Sequence, residues 1–91
     1  MSGQLTIDNV KVGDRIELTG KASWPHMIPP YQDFSLDAGA QGTVIEVDNG
    51  RGYIMVEWDD APTLDDGTKQ IVAHNYMPNI RPNGWNLKKV D

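Results

Sequence analysis

The chain has 91 residues, of which 38% are hydrophobic and 23% are charged, and this length fits one small domain. It contains no cysteine, which excludes disulfides, thiolate nucleophiles and cysteine-bound zinc. The formal net charge is −5. Nucleic-acid binding depends on clustered Lys and Arg side chains that release the counterions of the phosphates, and an acidic chain does not favour it. We therefore expect an acidic domain that does not bind nucleic acid directly.

The N-terminal stretch MSGQLTIDNV has neither a basic region nor the apolar region of a secretion signal. No apolar run approaches the roughly 20 residues that a membrane-spanning helix needs. These features predict a cytoplasmic protein with no membrane contact. Residues 1–9 are expected to form an N-terminal segment, and residues 10–91 a single folded domain.

The first predicted strand lies within residues 10–18, and residues 14–18 are its clearest part. Val10, Val12, Ile16 and Leu18 share one parity, which is the spacing of a strand with one buried face. The strand is entered through a turn at Gly13-Asp14.

A β-hairpin is predicted over residues 40–59. Two runs rich in β-branched residues, 43–47 and 53–58, flank the turn cluster 48–52, whose glycines accept a positive φ at low cost. Trp58 has the parity of the buried face and is expected in the core.

The rest of the chain predicts two further strands. Residues 69–73 form a short apolar run, and residues 85–90 form the last strand, entered through Asn83-Gly84, with Trp85 and Leu87 facing inward. Between them, residues 74–80 are predicted to make a single helical or 3₁₀ turn that ends at Pro78.

A long connection covers residues 19–39 and shows no sustained period of a strand or a helix. Long irregular connections in small domains are usually functional or disordered, and large apolar residues argue against disorder here. Two interpretations stay open, because these side chains could contact a partner or simply cover an open end of the fold. The predicted contact residues are Trp24, Met27, Tyr31 and Phe34.

A second loop, residues 59–68, is acidic and rich in turn-forming residues. We expect its carboxylates to complete the partner-binding set, and these residues are Asp59, Asp60, Asp65 and Asp66. A calcium cage is the alternative, but the spacing does not match an EF-hand loop. We therefore expect a solvated acidic turn, with no metal and no other cofactor.

No catalytic constellation accompanies these loops. His26 and His74 have no metal-ligand spacing, and no motif places a base beside a serine. Asp33 and Asp37 are the only carboxylates among the aromatic residues of the long connection. The sequence predicts no catalytic residues and no enzyme.

Three stretches resemble a known family. Val12-Gly13-Asp14-Arg15-Ile16, followed by residues 38–44 and 54–59, resembles the pattern of small SH3-like barrels. The nearest likeness is to a family of uncharacterised small SH3-like barrel proteins of bacteria and phages, with a more distant likeness to Mib/Herc2 and KOW-type barrels. The resemblance and the order of elements imply an all-β, five-stranded SH3-like barrel with a long first loop and a short 3₁₀ turn before the last strand.

The expected function is a small non-enzymatic protein-binding module. The resemblance implies a phage-encoded protein that acts on a host or virion protein in the host cytoplasm. Two alternatives stay open: an acidic decoy that mimics nucleic acid and inhibits a nucleic-acid-binding protein, and a structural accessory protein that self-assembles as a homo-oligomer.

Overall fold

The computed structural model describes residues 5–80 and 85–90, and every regular element in these ranges is a β-strand. The all-β prediction is therefore confirmed. The described ranges hold no helix long and apolar enough to cross a membrane. The strands are β1 (Arg15–Leu18), β2 (Ala22–Trp24), β3 (Phe34–Leu36), β4 (Gln41–Asp48), β5 (Tyr53–Trp58), β6 (Ile71–Asn75) and β7 (Leu87–Lys89).

The strands form two antiparallel sheets rather than the predicted five-stranded barrel. One sheet has five strands in the order β6-β5-β4-β1-β7, and the other is the two-stranded pair β2-β3. Strand pairing within the described residues does not close the sheets into a barrel. The difference arises in the long connection, which contains its own hairpin with Trp24 opposite Phe34.

The strand boundaries differ from the predictions in several places: β4 is longer than the predicted run 43–47, β6 is shifted from 69–73, and β7 is shorter than 85–90. The first strand begins at Arg15, because Gly13 has a φ of 95° and the preceding Val12 is 65% exposed. A 3₁₀ element over residues 74–80 is not confirmed, although the backbone N–H of Ile80 donates to the Met77 carbonyl at 3.1 Å. Strand β6 instead continues to Asn75, and the backbone N–H of Tyr76 still donates to the Gly52 carbonyl at 2.8 Å. Asn83-Gly84, the predicted start of the last strand, lies outside the described residues.

The core lies on the inner face of the five-stranded sheet. Trp58 is completely buried and Trp85 is 3% exposed, so both tryptophans occupy the core as predicted. Leu5 is also fully buried, so the described part of the N-terminal segment packs into the same core. The other members of the buried cluster are Val10, Ile16, Leu18, Leu36, Val44, Ile54, Val56, Ala61, Val72 and Leu87.

A β-bulge in β4 changes which residues face outward. The register with β5 shifts between Val44 and Glu46, so Ile45 is the extra residue on the β4 side. Val44 is buried and Val47 packs against the core, while Ile45 and Glu46 are both exposed. The bulge therefore gives this strand two consecutive outward-facing side chains.

Candidate partner-binding surface

The long first connection is fastened to the start of β6 by Gln70. This side chain is completely buried, and its Oε1 atom accepts a hydrogen bond from the backbone N–H of Gln32 at 2.7 Å. Its Nε2 atom donates to the carbonyl oxygen of Gln32 at 2.9 Å. Because a buried amide is costly unless it is hydrogen-bonded, these contacts fix residue 32 against the rest of the fold.

The tip of the connection has local order as well. The carboxylate of Asp33 accepts from the backbone N–H of Met27 at 2.7 Å, and the N–H of Tyr31 donates to the Ile28 carbonyl at 3.0 Å. Tyr31 is nevertheless 48% exposed. The connection therefore holds an aromatic side chain at the surface in a defined position.

The acidic loop folds back on itself as a narrow turn. The backbone N–H of Leu64 donates to the Thr68 carbonyl at 2.7 Å, and Thr63 bridges to Lys69. Asp66 accepts from the hydroxyl of Thr68 at 2.6 Å and from its N–H at 3.0 Å. Hydrogen bonds from the Thr68 hydroxyl and backbone lower the pKa of Asp66, so this carboxylate is anionic at neutral pH.

These two segments wall a groove on the outer face of the sheet, which we call the outer groove. Its floor comes from adjacent strands, with Ile45 on β4, Met55 on β5 and Ile71 on β6. Tyr31 and Leu64 complete its apolar lining, and its volume is about 420 Å³. Exposed apolar side chains that lie together in this way are typical of interaction sites.

The rim of the outer groove is mainly acidic. Glu46 and Asp66 both line it. The hydroxyl of Tyr53 donates to Glu46 at 3.2 Å. Burial is the main cause that raises the pKa of Tyr53, and the hydrogen bond to Glu46 raises it further. Lys69 also lines the groove, but its ammonium group donates to the Asp59 carbonyl oxygen at 2.7 Å. The negative charges of Glu46 and Asp66 therefore favour a cationic ligand group at this rim.

Asp59, one of the predicted contact residues, forms an ion pair within the fold. Both of its carboxylate oxygens accept from the Arg15 guanidinium, at 2.6 and 2.9 Å. Hydrogen bonds and charge from Arg15 lower the pKa of Asp59, and Asp59 in turn raises the pKa of Arg15. The charge of Asp59 is thus compensated within the sheet.

Trp24 and Phe34 pack toward the core instead of the outer groove. Their rings stack with centroids 4.6 Å apart and an interplanar angle of 22°. The imidazole of His74 meets the Trp24 ring edge-on at 5.5 Å, and its Nε2 atom accepts from the Trp58 Nε1–H at 3.1 Å. This inner aromatic cluster joins the hairpin β2-β3 to the five-stranded sheet.

The predicted contact residues therefore divide into separate groups. The structure brings Tyr31 and Asp66 together at the outer groove, and it places Trp24 and Phe34 against the core. Met27 is half-buried. Asp60 and Asp65 are exposed, and the described lining of the outer groove includes neither. Whether any member of the predicted set contacts a partner stays a prediction.

The sequence analysis missed the floor of the outer groove. The position of Met55 could have been predicted. Its neighbours Ile54 and Val56 share the parity of the buried Trp58, so Met55 faces the opposite side of the strand. Ile45 had no such signal, because the bulge that turns it outward is not visible in the residue pattern.

The carboxylates of the acidic loop are the side chains that a metal ion would require. Within residues 5–80 and 85–90, no group of three or more His, Asp or Glu side chains is arranged to hold a metal ion. The described carboxylates instead act as local hydrogen-bond acceptors, as in Asp66, or as ion-pair partners, as in Asp59.

Comparison of the chain with protein-family models, with curated proteins and with solved structures found no match. The likeness of residues 12–16, 38–44 and 54–59 to SH3-like barrels accordingly stays an expectation from the sequence.

Proposed function

We propose that the protein is a small non-enzymatic protein-binding module that holds a basic, partly apolar segment of another protein in the outer groove. The observation that carries this proposal is the apolar floor of exposed Ile45 and Ile71 and half-buried Met55, in a groove that Glu46 and Asp66 also line. Apolar anchors contribute affinity, and rim charges contribute selectivity and association rate. A segment with an apolar residue beside Lys or Arg matches both features.

Several features of the groove favour a partner over a simple surface irregularity. The Gln32–Gln70 hydrogen bonds hold Tyr31 in place, so little conformational entropy is lost when a ligand binds there. Tyrosine is enriched at interfaces because its ring offers a large contact area and its hydroxyl stays hydrated. The aromatic loop and the acidic loop would thus act together, as the sequence predicts.

We further propose an SH3-like barrel as the fold family. The sheet order β7-β1-β4-β5-β6, with a long connection after β1 and a tight turn between β4 and β5, supports this assignment. A phage origin, a host or virion partner and a cytoplasmic location rest on the resemblance alone.

The two alternative functions have less support. A nucleic-acid mimic needs a run of uncompensated carboxylates, whereas Asp59 pairs with Arg15, Glu17 with Lys88 and Asp14 with Lys89. Self-association through the outer groove would bring Glu46 and Asp66 of two copies together, and like charges at short range are unfavourable.

The test is affinity capture of partners from a bacterial lysate, with washes at about 50 and about 300 mM salt, followed by binding of the captured partner to matched variants. Ile71→Ser removes an apolar anchor, and Val12→Ser makes the same kind of change at an exposed valine outside the groove. Glu46→Lys reverses a rim charge, and Asp37→Lys makes the equivalent change elsewhere on the surface.

We expect Ile71→Ser to abolish capture and Glu46→Lys to weaken it, while the two control variants behave as wild type. A partner that binds all four variants equally would remove the outer groove from the proposal. Loss of binding only at high salt, with equal sensitivity to Glu46→Lys and Asp37→Lys, would instead support the acidic decoy. A dimer in light scattering and no captured partner would support self-assembly.

A further inference from the structure

A second cleft lies between the hairpin β2-β3 and the edge of the five-stranded sheet. Its volume is about 320 Å³, and it shares no lining residue with the outer groove. The lining residues are Leu18, Lys21, Ala22, Ser23, Trp24, Ala73, His74, Asn75, Met77, Trp85, Asn86 and Leu87. We call it the edge cleft.

The two long walls of the edge cleft are strand edges rather than strand faces. Three consecutive residues of β2 and three consecutive residues of β6 line it, whereas a face would contribute only alternate residues. Within the described residues, β6 pairs only with β5, and β2 pairs only with β3. Each strand therefore has an edge with no neighbouring strand.

The alternation of hydrogen-bonded pairs between β6 and β5 shows which backbone groups of β6 point toward its unpaired edge. The N–H of Tyr76 donates to the Gly52 carbonyl, and this pair continues the register in which Asn75 faces Tyr53. Hydrogen-bonded and non-hydrogen-bonded pairs alternate in an antiparallel ladder. Ala73 and Asn75 therefore direct their N–H and C=O groups away from β5, toward the open edge.

The side chains of the edge cleft add apolar contact and one charge. Trp85 and Leu87 are buried residues at its base, and Trp24 forms part of its wall. Lys21 is exposed and is the only Lys, Arg, Asp or Glu in the described lining. The edge cleft is thus a place on this acidic protein that favours a carboxylate.

We propose that the edge cleft binds an extended segment of another protein, which adds as a strand along β6 beside β2. The segment presents an apolar side chain to Trp85 and a carboxylate to Lys21. Three extended residues span about 10 Å, which matches the three-residue walls. This site is independent of the outer groove, because it uses different residues and selects the opposite charge.

The composition of the two sheet edges supports strand addition at β6. Natural proteins protect exposed edges with charged residues, prolines or very short strands. The edge strand β7 has three residues, two of which are Lys88 and Lys89, so it is protected. In contrast, β6 has five residues, IVAHN, with no Lys, Arg, Asp, Glu or Pro.

A single extended segment fits the edge cleft better than a second copy of this protein. Residues of β2 and β6 both line the edge cleft, so a whole sheet added along β6 would have to pass β2, whereas a single extended segment would not. The ligand proposed for the edge cleft is therefore a linear segment of a partner protein.

The experiment selects a displayed library of random heptapeptides on the wild-type protein and measures the affinity of the selected synthetic peptides by fluorescence anisotropy. Ala73→Pro removes an N–H that points to the open edge, and Ala73→Val keeps that N–H as the matched control. Lys21→Glu reverses the charge at the cleft, and Ile71→Ser alters the outer groove. Hydrogen exchange of the Ala73 and Asn75 amides, followed by NMR, reports strand pairing directly.

We expect selected peptides that contain Asp or Glu, with affinity lowered about tenfold or more by Ala73→Pro and by Lys21→Glu, the size of effect that follows from losing a hydrogen bond or a charge contact. Ala73→Val and Ile71→Ser should bind as wild type, and the bound peptide should slow exchange at both amides. If Ala73→Pro fails to fold, Lys21→Glu and the exchange data still decide the question.

Four results would overturn the proposal: no enriched peptide, binding insensitive to Lys21→Glu, unchanged exchange at Ala73 and Asn75, or a dimer that Ala73→Pro dissociates. Enrichment of basic, Ile71-dependent peptides alone, with no acidic peptide among those selected, would support the outer groove and reject the edge cleft. The two proposals can therefore fail separately.

Discussion

Gln70 binds the backbone of Gln32 through two hydrogen bonds, of 2.7 and 2.9 Å, although the two residues are far apart in the chain. The side chain of Gln70 is completely buried, and it takes the place of a neighbouring strand for this part of the long connection. The position of Tyr31, and with it one wall of the outer groove, depends on this contact.

Replacement of Gln70 should therefore release the long connection. We expect Gln70→Leu to lower the free energy of unfolding by about 1–3 kcal/mol, because the backbone N–H and C=O of Gln32 lose their hydrogen-bond partners. Urea denaturation measures the change, and hydrogen exchange at the Gln32 amide should become faster. Gln32→Ala is the matched control, since it keeps both backbone groups and loses only the Nε2 contact to Thr63. Equal effects of the two variants would contradict this account.

Substitution of Trp24 tests whether this side chain stabilises the fold or contacts a partner. Its ring stacks on Phe34 and meets His74, so Trp24→Ala should destabilise the fold by about 3 kcal/mol, the usual cost of removing a large packed aromatic side chain. Tyr31→Ala, at a residue that is 48% exposed, should change the melting temperature little and weaken partner capture. A Trp24→Ala protein of unchanged stability that no longer captures its partner would contradict the packing role and support the contact predicted from the sequence.

Trp58 should be among the residues whose loss costs the most stability. It is completely buried and donates to His74 Nε2, so Trp58→Ala removes a large apolar volume and a hydrogen bond together. We expect a loss of about 4 kcal/mol in chemical denaturation. Trp58→Phe keeps part of the ring volume and should cost less. If Trp58→Ala is as stable as wild type, the inner face of β5 has been assigned incorrectly.

Gly42 is required by the close approach of Trp58. A Cβ atom on Gly42 would lie 2.8 Å from Trp58 Cε3 and 2.9 Å from the carbonyl oxygen of Glu57. Gly42→Ala should therefore destabilise the protein by about 1–3 kcal/mol through overpacking. Gly50→Ala is the control, because its Cβ would meet only Asp48 Oδ1 at 3.6 Å. Thermal unfolding of both variants measures the difference. Equal unfolding midpoints of Gly42→Ala and Gly50→Ala would argue against the tight contact.

The Arg15–Asp59 pair predicts a defined pH dependence. Because Arg15 lowers the pKa of Asp59, the pair stabilises the fold above the unfolded value of about 3.9 and loses this contribution as pH falls through the folded pKa. Both side chains are partly exposed, so Asp59→Asn should cost only about 0.5 kcal/mol at neutral pH. The difference from wild type in urea titrations should shrink as the pH falls through the folded pKa of Asp59.

The strands of the central hairpin could be predicted from the sequence because their signals are local. The run 53–58 alternates in burial and became β5 without change, and Trp58 and Trp85 occupy the core as their parity indicates. Hydrophobic period and turn residues act over a few neighbouring positions, so they can be read without knowledge of the fold.

Only the tertiary structure decided the binding surfaces. The outer groove joins Tyr31 to Ile45 and Asp66 through a bulge and the Gln32–Gln70 contact, and the edge cleft brings β2 beside β6. Such contacts depend on long-range packing, which overrides local preference. The sequence by itself determined an all-β chain with an aromatic connection and an acidic loop. The fold decided which of those side chains became core, which became charge-compensated and which stayed available at the surface.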